Sequence, residues 1–132
     1  MRIIEGGVCA AKGFTANGIH CGIRKNHTKK DLALIFSSVP ASAAAVYTTN
    51  LVKGAPLIVT KNHLQDGIAQ AVICNSGNAN TCNANGIEIA ERMSVLAANA
   101  LGLPRMISSW LPPVSSASLC ASIPLPRAFP NW

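Results

Sequence analysis

Short apolar runs separated by turn residues fill the first eighty or so positions, and the spacing then changes to that of a helix. Gly18-Ile19-His20-Cys21-Gly22-Ile23 and Asp31-Leu32-Ala33-Leu34-Ile35-Phe36 flank a polar stretch, which predicts two strands of a hairpin-like unit. Pro40 is expected to break the chain, and residues 43–49 read as a further strand because Val46 and Tyr47 favour extended backbone. Pro56-Leu57-Ile58-Val59-Thr60 predicts another short strand. Thr60 then caps a brief helix through Leu64, ended by Asp66-Gly67. Ala69-Gln70-Ala71-Val72-Ile73-Cys74 is a nearly continuous apolar run, the pattern of a strand covered on both faces.

From about Gly86 to Leu101 the period is helical. Ala90, Met93, Ala97, Ala100 and Leu101 recur at three- and four-residue spacing and make one apolar face. Asn85 can cap the start, Gly102 can take the left-handed position after the end, and Pro104 stops continuation. Strands in series ahead of a helix predict an α+β fold rather than repeated βαβ units. After Pro104 the texture changes: residues 105–132 carry both tryptophans and no acidic residue, and neither period emerges. The expected organisation is a partial domain over 1–104 and an aberrant, unstructured tail over 105–132.

Composition narrows the class. At 132 residues, 49% hydrophobic and 12% charged, the chain is too apolar for disorder and long enough for one core. No run reaches the length of a membrane span and the start lacks a signal-peptide pattern, so a soluble, cytoplasmic protein is expected. The five cysteines, Cys9, Cys21, Cys74, Cys82 and Cys120, are odd in number and have no C-x-x-C spacing. They read as free thiols acting as small apolar residues, not as a zinc site or disulfide framework.

The net charge of +6 raises a nucleic-acid-binding function. Much of it lies in Arg24-Lys25-Asn26-His27-Thr28-Lys29-Lys30. The nearest aromatics, Phe14 and Phe36, sit in apolar surroundings that look like core, so a solvated basic loop is favoured over a nucleic-acid or membrane partner. A small basic nucleic-acid binder stands as the alternative function, and a non-catalytic partner of an intact enzyme subunit as a third.

Three stretches carry more specific information. Lys12-Gly13-Phe14-Thr15-Ala16-Asn17-Gly18 leads to Gly22-Ile23-Arg24 and Lys30-Asp31-Leu32-Ala33-Leu34-Ile35. Val39-Pro40-Ala41 leads to Val46-Tyr47-Thr48-Thr49-Asn50 and Lys53-Gly54-Ala55-Pro56. Asn75-Ser76-Gly77-Asn78-Ala79-Asn80 follows the apolar strand directly. Gly77 permits backbone angles closed to other residues and the Asn side chains can bond nearby amides, so this is a tight polar loop at a strand end. It either lines an active site or is held by its own hydrogen bonds. Thr48-Thr49-Asn50 reads first as a plain edge-of-sheet segment and second as a strand end that meets a ligand.

In this order and spacing the three stretches resemble the ornithine acetyltransferase (glutamate N-acetyltransferase) family over nearly all of residues 1–104. The chain departs from the family at Thr81-Cys82-Asn83-Ala84-Asn85. The resemblance implies acetyl transfer from N-acetylornithine to glutamate in arginine biosynthesis. Acetyl-CoA is an additional donor in bifunctional members, and no other cofactor is implied. Members of the family cleave themselves, and the new N-terminal threonine of the second piece, the β chain, is the nucleophile, activated by its own amine. A Thr-Gly pair in the first piece supplies the oxyanion hole.

That oxyanion segment should follow the helix, where this chain reads Ser109-Trp110-Leu111-Pro112-Pro113-Val114-Ser115-Ser116-Ala117. Codons for Trp110 through Ala117, regrouped one register over, can spell Ala-Ser-Thr-Gly-Val-Ile-Gly, the family run. Residues from about Arg105 are therefore read as a frameshift product. No residue of this sequence is assigned as catalytic, cofactor-binding or metal-ligating, and the chain alone is expected to be inactive, with the β chain its missing partner.

Overall fold

The computed structural model describes residues 3–76 and 80–103, together with the backbone of 107–108. After a short 3-10 turn at Gly7–Ala10, the elements are β1 (Phe14–Ile19), β2 (Leu32–Ser42), α1 (Ala55–His63), β3 (Ile68–Asn75), α2 (Gly86–Leu101) and β4 (Ile107–Ser108). They form a four-stranded sheet of order β1-β2-β3-β4, antiparallel except that β4 runs parallel to β3. The expected α+β class is what the chain adopts.

β1 and β2 form the expected hairpin, but the first strand lies earlier than 18–23. Phe14 pairs with Ser37 and Ile19 with Leu32. The run from Cys21 leaves the ladder because the Cys21 amide donates to the Asp31 carboxylate at 2.7 Å, and Gly22 takes a φ of 88°. Pro40 does not break the chain. β2 continues to Ser42, with its register against β3 shifting between Phe36 and Ala41. An irregularity of this kind tolerates the missing amide of proline.

Two further expectations fail locally. Residues 43–49 pair with no strand among the described residues, and Val46 is 99% exposed. Their β-propensity reports fitness for a half-buried pleated surface, which they do not meet. The 56–60 run is not a strand but the body of α1. Pro56 sits in the first turn, where its missing N–H costs nothing, and Ala55, Pro56, Val59 and Thr60 fall on one buried face. Thr60 is thus inside the helix rather than its cap, and the following turn closes with Gly67 at φ 68°.

The core lies between one face of β2 and β3 and the apolar face of α2. It comprises Leu32, Leu34, Ala71, Ile73, Met93, Ala97 and Ala98. Ala71, Ile73 and Asn75 are buried while Val72 and Cys74 between them are only half-buried. The continuous apolar run of β3 is therefore fully covered on one face, not both. α1 packs on α2, with Val59 wholly buried and His63 Nε2 at 3.0 Å from the Glu91 carboxylate.

α2 has the bounds that its period predicts. Gly102 adopts φ 65°, with its N–H directed to Asn99 O at 3.3 Å and Leu103 N–H to Ala98 O at 2.9 Å. This is a Schellman closure. Asn85 occupies the N-cap position but makes no side-chain cap bond. The expectations for 105–132 fall outside the described residues, apart from the backbone of Ile107 and Ser108, which pairs with Val72 and Ile73.

Local stability should follow this layout. Amides of β2 and β3 around the Leu34–Ile73 pairing and in the middle of α2 should exchange slowest with deuterated solvent, and those of 43–52 should exchange near the unprotected rate. Equal protection in both regions would contradict the assignment of the core.

Candidate functional site

The polar loop after β3 and the basic loop between β1 and β2 meet at one end of the sheet, and Asp31 joins them. Its side chain is buried. Oδ1 accepts the Cys21 amide at 2.7 Å, and Oδ2 accepts the Arg24 amide at 2.9 Å and faces His20 Nδ1 at 3.0 Å. Burial alone would raise the Asp31 pKa. The amides of Arg24 and Cys21, with His20, outweigh it and hold the carboxyl below its ordinary value. The main chain of Asp31 contributes too, since its carbonyl accepts the Ser76 amide at 2.9 Å.

Arg24 completes the junction by donating from Nε to the Ser76 carbonyl at 2.7 Å. One cation of the basic run thus turns inward to hold the polar loop. Nearby, His20 Nε2 and His27 Nδ1 lie 3.1 Å apart. In the sequence Asp31 read as the start of a strand and as part of a stretch that carries the family resemblance, with no role of its own. The further signal was an isolated acid between a basic run and an apolar run.

Both described ends of the Asn-rich loop are structural; Gly77, Asn78 and Ala79 lie outside the described residues. Asn75 is buried, with Nδ2 3.8 Å from Met93 Sδ on α2. Asn80 is buried at φ 44° and ties the starts of both helices together. Its carbonyl accepts the Ala55 amide at 3.1 Å, its Nδ2 donates to Gly86 O at 2.8 Å, and its Oδ1 accepts from Asn83 Nδ2 at 3.1 Å. Beside it opens a cleft of about 370 Å³ between the starts of α1 and α2, where Lys53, Asn83 and Glu88 supply polar groups and Ile58 and Ile87 apolar ones.

Other sequence candidates resolve more plainly. Thr48-Thr49-Asn50 is an exposed turn closed by its own side chains, with Thr48 Oγ1 accepting the Asn50 amide and Asn50 Oδ1 that of Val52. It is not a sheet edge. None of the described cysteines is in a disulfide, but Cys9 and Cys82 are exposed rather than packed as small apolar residues. Cys120 lies outside the described residues. Among those described, no cluster of three or more His, Cys, Asp or Glu side chains could hold a metal ion, and no helix is long and apolar enough to cross a membrane.

The model of the ArgJ family matches residues 15–112 of this α+β chain, and the chain belongs to that family. Its relatives include the arginine biosynthesis bifunctional protein ArgJ of Symbiobacterium thermophilum, 50% identical over 105 residues, which cover 78% of this chain and 26% of the relative. The protein of the same name from Gloeobacter violaceus is 52% identical over 101 residues, 75% of this chain and 25% of the relative. The chain thus spans about a quarter of the length of these relatives.

Solved structures agree. The arginine biosynthesis bifunctional protein of Bacillus halodurans superposes with a TM-score of 0.79 at 39% identity, covering 87% of this chain and 61% of that one. The ornithine acetyltransferase of Mycobacterium tuberculosis, solved with ornithine, gives 0.73 at 33% identity, covering 86% and 63%.

Proposed function

We propose that this chain forms the opening part of an ornithine/glutamate N-acetyltransferase that serves arginine biosynthesis in the cytoplasm. The observation that carries this reading is the family match through residues 15–112, supported by relatives at about half identity. The reaction moves an acetyl group from N-acetylornithine, or from acetyl-CoA, to the amine of glutamate. The part played by residues 3–103 is that of a scaffold. Asp31 and Arg24 hold the Asn-rich loop at one end of the sheet, and Asn80 fixes the helix that leads toward the segment where the family carries its oxyanion donors. The nucleophilic threonine belongs to the β chain, which is the proposed partner.

On this reading the chain alone transfers no acetyl group. Purified from a host lacking its own enzyme, it should give no N-acetylglutamate above the uncatalysed background from either donor. Co-expression with the later segments of a relative, from the oxyanion Thr-Gly pair through the threonine and beyond, should restore turnover. Turnover by the chain alone would overturn the scaffold role.

A further inference from the structure

At the basic end of the sheet two imidazoles lie in mutual reach. His20 follows β1 and His27 lies in the basic loop; their rings stand edge to face, with centroids 5.0 Å apart. His20 Nδ1 is 3.0 Å from Asp31 Oδ2 and 3.2 Å from the Lys29 carbonyl. Both neighbours are acceptors, so Nδ1 carries the hydrogen. In the neutral ring Nε2 then presents a lone pair, aimed at His27 Nδ1 at 3.1 Å.

We propose that His20 Nε2 and His27 Nδ1 form a two-histidine site for a borderline divalent transition cation, Zn²⁺ or Cu²⁺, with solvent completing the coordination. Two nitrogens bound at about 2.0–2.1 Å in a tetrahedral shell stand roughly 3.3 Å apart with the cation off the line between them, so the pair is close to the required separation and the exposed His27 ring swings aside to meet a cation on the His20 lone pair. His27 exchanges its Nδ1 hydrogen for one on Nε2, a change of tautomer that releases no net proton.

Asp31 occupies the place of the carboxylate that commonly orients a metal-bound imidazole and raises its basicity. Here that carboxylate is buried and locked by two amides, so the orientation of His20 exists before any ion arrives. Against the ion stand the charges of Lys25, Lys29 and Lys30 in the same loop. They weaken binding, and Cu²⁺ is expected to be held more tightly than Zn²⁺.

The test uses the full, tag-free chain with Cys9, Cys82 and Cys120 changed to serine, so that these three thiols do not compete. Calorimetry with Zn²⁺ alone and Cu²⁺ alone should show one ion per chain. The imidazole resonances of His20 and His27 should shift with Zn²⁺ while those of His63 stay in place. His27→Ala, at an exposed position, should weaken binding about tenfold or more, as should His20→Ala, and His63→Ala should leave it unchanged. Two results overturn the proposal: no one-to-one binding up to millimolar metal, or binding that survives both His20→Ala and His27→Ala. Asp31 is left intact throughout because its loss disturbs the fold.

Discussion

Asp31→Ala is expected to cost about 2–4 kcal/mol of folding stability, a large share of the roughly 5–15 kcal/mol that a domain has. The change leaves the Cys21 and Arg24 amides without their acceptor in a buried setting and removes the oxygen that faces His20. Asp31→Asn should be nearly as damaging despite its equal size. Both carboxylate oxygens accept a backbone N–H, whereas an amide offers one oxygen and turns its NH₂ toward the other donor. A shift in urea midpoint for Asn no larger than that of an exposed control such as Asp66→Asn would disprove this account.

The same carboxylate sets an acid limit. Its pKa is lower in the folded chain than in the unfolded one, where it lies near about 3.9. Its stabilisation is therefore fully present above the unfolded value and is lost as pH falls through the folded value. Urea midpoints should hold level above about pH 5 and drop below about pH 4. In Asp31→Asn that drop should be shallower.

What could be read from the sequence follows from how local each determinant is. α2 was legible because a three- and four-residue period sustained over sixteen residues and a glycine stop act within one element. The α+β class and the β1–β2 hairpin were legible for similar reasons. α1 was not: Leu57-Ile58-Val59 is apolar, with Ile58 and Val59 β-branched, in either reading, and packing on α2, remote in sequence, decides it. The strand expected at 43–49 failed for the converse reason, since a strand needs a neighbour and nothing in those residues specifies one. The junction at Asp31 links positions 20, 21, 24 and 76, and Asn80 links 55, 83 and 86. Such contacts have no periodicity, and only family resemblance pointed to these segments.

Gly86→Ala should be the other severe surface-distant change, although at most helix positions this substitution is favourable by about 1 kcal/mol. A Cβ at Gly86 would stand 2.6 Å from Asn80 Oδ1 and 2.9 Å from the Cβ of Ala55. Neither neighbour yields easily. Asn80 is held by its bonds to Gly86 O and Asn83, and Ala55 begins α1 with its own amide on Asn80 O. Relief therefore requires the starts of the two helices to move apart, and overpacking of this kind costs about 1–3 kcal/mol. Asn80→Ala alone should also destabilise, because Gly86 O loses its side-chain donor. The two losses should not add. With the Asn80 amide gone, the larger of the two clashes disappears, and the double variant should be more stable than the sum by about 1 kcal/mol in a thermodynamic cycle. Strict additivity, or a Gly86→Ala chain as stable as the parent, would mean that the helix starts are not pinned together at Asn80.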